Sequence, residues 1–143
     1  MRGELKMSKI IFDGMDAIFG RISSVVAKEL LKGNYVDVIN CESIIVSGNK
    51  NLFVKKIQAK RNMGRGSSLK GPKYIRQSDR LVKRMIRGML PRDRTKGQEA
   101  FKRLRCYVGK GSFKEGDLKE VKTLSHRKPM RYFTIGEVVK LLK

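Results

Sequence analysis

The first third of the chain combines short apolar runs with one helical repeat. Residues 10–12 form an apolar run that stops at an Asp-Gly pair, and apolar residues return at helical spacing over residues 18–31 before Gly33-Asn34. Residues 35–40 then resume a strand pattern rich in β-branched side chains. We therefore predict a strand, a helix and a strand, and a right-handed crossover makes the two strands parallel neighbours.

A strongly amphipathic segment follows in the middle of the chain. In residues 78–90, apolar side chains recur along one helical face, Ser78 is the predicted N-cap, and Pro91 ends the pattern. The opposite face carries only cations after the first turn, whereas a solvated helix face usually mixes signs. A weaker helical pattern covers residues 50–60. We predict a helix at each segment and expect the cationic face to contact a partner, with plain solvation as the alternative.

Shorter elements complete the predicted fold. Thr95 and Gln98 match a capping box, which predicts a helix, and residues 106–108 form a strand pattern that returns the chain to the sheet. A second capping box begins at Thr134 and predicts a small C-terminal helix. The β-branched run 44–46 has no assigned partner, because three intervening residues cannot make a parallel crossover.

The positive charge of the chain is concentrated in its middle. Of the formal net charge of +21, residues 55–110 supply +16, with nineteen Lys or Arg and three acidic residues. Residues 1–50 have a net charge of +1, and residues 111–143 have +4. A segment this basic repels itself unless phosphates neutralise it. The charge therefore predicts RNA or DNA as the partner.

Residues 61–77 are predicted to be a basic loop. They contain three glycines, one proline and several cations, with few apolar anchors. Loops of this length in small domains tend to be functional or disordered. The basic composition favours a loop that becomes ordered when phosphate surrounds it, and a solvated linker is the alternative.

The cations of this region are the candidate RNA-binding side chains. Duplex RNA hides its base edges in a deep groove, so recognition through phosphates and shape is expected, with Tyr74 as a candidate to stack on unpaired bases. The predicted set is Lys50, Lys55, Lys56, Lys60, Arg61, Arg65, Lys70, Lys73, Arg76, Arg80, Arg84, Arg87, Arg92, Arg94, Lys96, Lys102, Arg103 and Arg105.

Catalytic and metal-binding patterns are absent from the sequence. No glycine-rich phosphate loop with its lysine is present, and Cys41 and Cys106 lie in apolar runs that predict buried thiols. Asp13 and Asp16 flank a strand-to-helix turn, where helix capping is the usual role of an acid. We predict no enzyme activity, metal, cofactor or small-molecule substrate. No apolar run is long enough to span a membrane, and a cytoplasmic protein is expected.

The order of several motifs resembles one known family. Residues 87–92 read Arg-Gly-Met-Leu-Pro-Arg, and residues 103–109 read Arg-Leu-Arg-Cys-Tyr-Val-Gly. Three stretches precede them in the expected order, at residues 16–24, 38–41 and 47–50. Together they resemble the universal large-subunit ribosomal protein thirteen family, and the basic loop and tail are similar to its archaeal branch.

The resemblance implies an α/β fold with three layers, α/β/α, around a small, mainly parallel four-stranded sheet. It implies one domain over residues 1–143, with a core at 10–110, the basic loop at 61–77 and a C-terminal extension at 112–143. It also implies a structural protein of the large ribosomal subunit that binds large-subunit (23S-type) rRNA beside other large-subunit proteins. A free regulatory RNA- or DNA-binding protein is the main alternative, and a nucleic-acid-processing enzyme is a further one.

Overall fold

The structure is a computed structural model that describes residues 8–64, 74–113, 121–124 and 127–142. In these ranges, no helix has both the length and the apolar character that a membrane crossing requires. The helices and strands, in chain order, are β1 (Lys9–Asp13), α1 (Phe19–Leu31), β2 (Tyr35–Ile39), β3 (Ile45–Ser47), α2 (Lys50–Asn62), α3 (Ser78–Arg87), α4 (Thr95–Lys102), β4 (Leu104–Cys106), β5 (Lys122–Thr123), β6 (Tyr132–Thr134) and α5 (Ile135–Leu141).

The main sheet has the strand order β4-β2-β1-β5, and all of its pairings are parallel. α1 connects β1 to β2, as the apolar pattern predicts, and Gly33 ends the helix region with a positive φ of 104°. The predicted α/β fold with a small, mainly parallel four-stranded sheet is confirmed. The position of β1 and β2 as neighbours is confirmed as well.

One face of the sheet carries the main apolar core. Phe12 pairs with Val38 and Val36 pairs with Leu104, so these four side chains share a face of the pleated sheet. All four are buried in one cluster with apolar residues from the five described helices. Because α1 and α3 both contact this cluster through one helical stripe, their opposite faces are left for solvent or partners.

The opposite face of the sheet has a polar centre. Asp37 of β2 is buried, and its carboxylate lies 3.2 Å from the ammonium group of Lys9 on the neighbouring strand. The same ammonium group lies 4.9 Å from the ring centroid of Phe113. The described helices all join the cluster on the first face. A second helical layer over this opposite face therefore stays a prediction.

Strands from the C-terminal extension complete both sheets. β5 adds to the outer edge of β1, and β6 pairs antiparallel with β3, which places Val46 opposite Phe133. This pairing supplies the partner that the sequence left open for residues 44–46. The Thr134 side chain accepts a hydrogen bond from the Glu137 N–H at 3.3 Å, so the predicted cap of α5 is confirmed.

Two predicted caps are wrong by one residue. α3 begins at Ser78 with Gln77 as its N-cap, and α4 begins at Thr95 with Arg94 as its N-cap, both without a side-chain capping bond. The Gln98 amide donates to the Arg92 carbonyl at 3.3 Å instead of closing a capping box. In each case the residue before the predicted cap has the extended backbone of an N-cap.

The last predicted strand lies two residues earlier than expected. β4 covers Leu104–Cys106, because the buried Leu104 side chain has to face the core opposite Val36. The main-chain bonding continues briefly beyond the strand, since the Tyr107 N–H donates to the Val38 carbonyl at 2.8 Å. The prediction of a strand that returns to the sheet is therefore correct in type and shifted in position.

Candidate nucleic-acid interface

Helix α3 presents cations on the side opposite its buried residues. Leu81, Val82 and Ile86 fill the core, since they fall on one face of the helix. Asp79, in the first turn, is the one acid of this helix. The remaining face holds cations that are half-buried or exposed, namely Arg80, Lys83, Arg84 and Arg87.

The ring of Tyr74 joins α3 to the end of α2. The Arg84 guanidinium lies 4.4 Å from the ring centroid, and the Lys60 ammonium group lies 5.7 Å from it. Both distances are within the range of cation–π attraction. Cations from two helices therefore converge on one aromatic ring, although 24 positions separate Lys60 from Arg84 in the sequence.

Arg87 lies among other arginines at the C-terminal end of α3. Burial of its guanidinium, together with the nearby charges of Arg92 and Arg84, lowers the pKa of Arg87 below its ordinary value. Arginine nevertheless stays protonated at physiological pH. The like charges therefore repel one another, and an anion bound between them would offset this repulsion.

The turn between α3 and α4 extends the cationic surface. Arg92, Arg94 and Lys96 are exposed there, beside the first turn of α4. The Lys83 ammonium group lies 5.2 Å from the ring centroid of Phe101, which links the cations of α3 to α4. The two helices and their turn form one basic surface that faces away from the core.

Three of the predicted cations bind to carboxylate or main-chain oxygens elsewhere in the fold. The Lys50 ammonium group lies 3.2 Å from the Glu137 carboxylate. Arg61 and Arg103 donate to main-chain carbonyls at the C-terminal ends of α5 and α1, each at 3.1 Å. A cation at this end of a helix is favourable because the carbonyls there lack helical partners. These side chains fix the helices, and their contact with RNA stays a prediction.

The other predicted cations divide by position. Arg105 of β4 lies with Arg80 and Lys83 along a groove of about 270 Å³ that also contains Asp79. Four more are exposed on the surface: Lys55, Lys56, Arg76 and Lys102. Three lie outside the described residues: Arg65, Lys70 and Lys73.

The acids at the strand-to-helix turn have structural partners. The Asp13 carboxylate accepts from the Met15 N–H at 2.9 Å and from the Asn40 side-chain amide at 2.8 Å. Asp16 lies 2.9 Å from the Lys128 ammonium group. Neither acid caps α1, whose N-cap residue makes no side-chain bond, so the expected capping role is wrong. Instead, Asp13 fixes the turn, and Asp16 connects the turn to Lys128 of the C-terminal extension.

The two cysteines lie side by side as thiols. Cys41 is buried, Cys106 is half-buried, and neither is in a disulfide. A hydrogen bond with Cys41, together with burial, raises the pKa of the Cys106 thiol. A raised pKa keeps the sulfur protonated and unreactive. Across the described ranges, His, Cys, Asp and Glu side chains form no group that could hold a metal ion.

The structure adds residues that the sequence-based set lacks. Lys83 belongs to the same cationic face as Arg80 and Arg84, which the helical pattern of residues 78–90 predicts, although the predicted set omits Lys83. Phe19 and Met85 flank the cations near Tyr74. No local pattern indicates them, because they come from separate helices that only the fold brings together.

Comparison with known proteins identifies a family. The family described as "Ribosomal protein L13" matches residues 7–112. A protein of Picrophilus torridus named "Large ribosomal subunit protein uL13" is 35% identical over 134 residues, which cover 93% of this chain and 96% of that protein. The Methanocaldococcus jannaschii protein of the same name is 36% identical, with 92% and 96% covered. That of Methanopyrus kandleri is 46% identical, with 69% and 61% covered.

Proposed function

The chain belongs to the ribosomal protein L13 family, and from this membership we propose that it is a structural protein of the large ribosomal subunit that holds ribosomal RNA by its phosphates. Its relatives bear the name of a large-subunit protein and match it over most of their length. Its role is structural and not enzymatic. Its partners are ribosomal RNA and other ribosomal proteins, and it works in the cytoplasm as part of the ribosome.

One observation carries the RNA-binding role. Arg84 and Arg92 lie close enough to Arg87 for their charges to act on it, at the end of a helix whose other face is packed in the core. Such an arrangement is unfavourable in isolation and becomes favourable when phosphate groups lie between the guanidinium groups. The family and the charge distribution thus support the same partner.

We propose that the protein acts as a rigid platform for several RNA segments. The sheet and its core fix α3 and α4, so the backbone that carries the cations has a defined position before RNA binds. Pre-positioned cations lose less conformational entropy on binding than cations on a flexible chain. Phosphate contacts give the platform its affinity, and the spacing of the cations selects RNA of matching shape.

Within this platform, the proposed phosphate contacts are cations of the basic surface, together with Lys60 near the end of α2. Arg61, Arg103 and Lys50 contribute less, because the main-chain hydrogen bond or ion pair of each connects separate elements of the fold. The main proposed contacts are Lys60, Arg80, Lys83, Arg84, Arg87, Arg92, Arg94 and Lys96.

Gradient sedimentation tests the ribosomal role. A tagged copy is expressed in the native host, and the lysate is separated at moderate and at high salt. We expect the protein to migrate with the large subunit in a one-to-one ratio at both salt concentrations. Migration as a free small protein would refute the ribosomal role and favour a regulatory RNA- or DNA-binding protein.

A further inference from the structure

A groove of about 610 Å³ lies beside the phosphate-binding cations, where α1, α2 and α3 meet. Its walls combine apolar and aromatic side chains with the aliphatic parts of cations. The residues that define this nucleotide groove, as we call it, are Phe19, Lys60, Met63, Tyr74, Arg84, Met85 and Arg87.

The composition of the nucleotide groove fits a flat, partly apolar ligand that carries negative charge. Phe19 and Tyr74 provide aromatic surface, and Met63 and Met85 provide thioethers that make favourable contacts with rings. Met63 is 59% exposed, so a ligand would remove apolar surface from water. Lys60, Arg84 and Arg87 supply positive charge at the same groove.

We propose that the nucleotide groove binds one unpaired base of the ribosomal RNA, with its flanking phosphates on the surrounding cations. This inference rests on the proposed function, because it assumes that ribosomal RNA covers the basic surface. The Arg84 guanidinium already contacts the Tyr74 ring, 4.4 Å from its centroid, so the base stacks on the groove side of this pair and does not enter between the two groups. The groove volume lies within the usual range for small-molecule sites, so a base with its ribose has room to enter.

A base explains the groove better than an acidic peptide does. A peptide carboxylate would neutralise Arg87 and Lys60, but it would leave the aromatic and thioether side chains of the groove without an apolar group to contact. A nucleotide combines an apolar surface with negative charge, because the face of its base is apolar and its phosphates are anionic. All of the defining residues except Phe19 belong to the segment that carries a net charge of +16, which favours a polyanion over a short acidic motif.

Chemical probing of rRNA in intact large subunits tests the proposal. Subunits are isolated from cells whose single copy of the protein is wild type, Tyr74→Leu or Tyr74→Phe, and base-specific reagents report each unpaired base. We expect a base that is protected in wild-type and Tyr74→Phe subunits to become about tenfold more reactive with Tyr74→Leu, because stacking on an aromatic ring is lost.

A matched control is Tyr35→Leu, which removes an exposed tyrosine that does not line the groove. It should leave the protection unchanged, and all variants should remain in the subunit, since the phosphate contacts are kept. Identical base reactivities in wild-type and Tyr74→Leu subunits would overturn the nucleotide groove.

Ultraviolet cross-linking of wild-type subunits decides the question without any variant. Mass spectrometry should find a base adduct on a peptide that carries Tyr74 or Met63. A cross-link from these peptides to another protein, or base adducts confined to other peptides, would overturn the proposal. Absence of the wild-type protein from the large subunit is a different outcome, because it would refute the proposed function itself.

Discussion

Gly97 of α4 lies directly against the carbonyl group of Pro91, so closely that a β-carbon on Gly97 would overlap the Pro91 oxygen. The turn between α3 and α4 therefore closes over a residue without a side chain. Arg92 and Arg94 lie on this turn, and their exposed positions depend on it. The lack of a side chain at Gly97 therefore helps to fix the backbone of this part of the basic surface.

Replacing Gly97 by alanine should destabilise the protein. The new methyl group meets backbone atoms, which cannot move aside as a flexible side chain can, so we expect a loss of about 2–3 kcal/mol in the free energy of unfolding. Gly20→Ala is the control, because nothing lies within 4 Å of a β-carbon there and alanine favours the helix. Urea denaturation of both variants measures the difference. Equal stability of Gly97→Ala and the wild type would contradict this packing.

Replacing Arg87 by alanine should weaken RNA binding and reduce its dependence on salt. Each lost phosphate contact removes about 0.7–0.9 from the slope of log K against log salt concentration. Filter binding to large-subunit rRNA over a range of salt concentrations measures this slope. Lys28→Ala removes an exposed cation from the segment whose net charge is only +1, and it should leave the slope unchanged. An unaltered slope for Arg87→Ala would argue against a phosphate contact at this position.

Glu29 should make stability depend on pH. Its carboxylate accepts from the Lys32 ammonium group and from the Asn34 amide, each at 2.8 Å. The Lys32 bond is the largest of several causes, and together they lower the pKa of Glu29. Because the pKa is lower in the folded state, the stabilisation is complete above the unfolded-state pKa and is lost as pH falls through the folded-state pKa.

Glu29→Gln should therefore reduce stability by about 0.5 kcal/mol at neutral pH, because the exposed Lys32 side chain is screened by solvent, and by less near pH 3. Urea denaturation at the two pH values measures the change. The matched control is Glu99→Gln, which makes the same replacement at an exposed residue of α4. A cost for Glu29→Gln that is equal at both pH values would rule out the ionic contribution.

The buried carboxylate of Asp37 should make Lys9 important for stability. Lys9→Met leaves this charge without its cation, and we expect a loss of about 1–2 kcal/mol, reduced by the solvent exposure of Lys9. In an Asp37→Leu background the same change should cost little, because no buried charge remains. A double-mutant cycle by thermal unfolding measures the coupling. Additive effects of the two changes would show that the pair does not interact.

Helices and central strands could be predicted from the sequence because their signals are local. The apolar stripes of α1 and α3 and the strand pattern of β2 each lie within one short segment. The caps of α3 and α4 lie one residue before the predicted positions because two adjacent residues compete for the N-cap. Ser78 and Thr95 have the side chains that are preferred at this position, but both already belong to the helix.

Long-range pairings could not be predicted. β5 has two residues, too few for a pattern, and the pairing of β3 with β6 joins segments separated by most of the chain. The charge pattern of the sequence located the basic surface, but it could not distinguish cations that bond to the protein's own main chain from cations that lie among other cations. Arg103 and Arg87 look alike in sequence, yet Arg103 donates to a helix carbonyl and Arg87 lies among other arginines.

The late position of β5 and β6 in the chain has a consequence for synthesis. Until residues 121–134 leave the exit tunnel, β1 lacks its outer neighbour and β3 lacks its antiparallel partner. Unpaired strand edges are templates for pairing with other chains. A nascent or truncated copy therefore exposes two strand edges, and the addition of β5 and β6 covers Phe12 and Asp13 of β1 and all of β3.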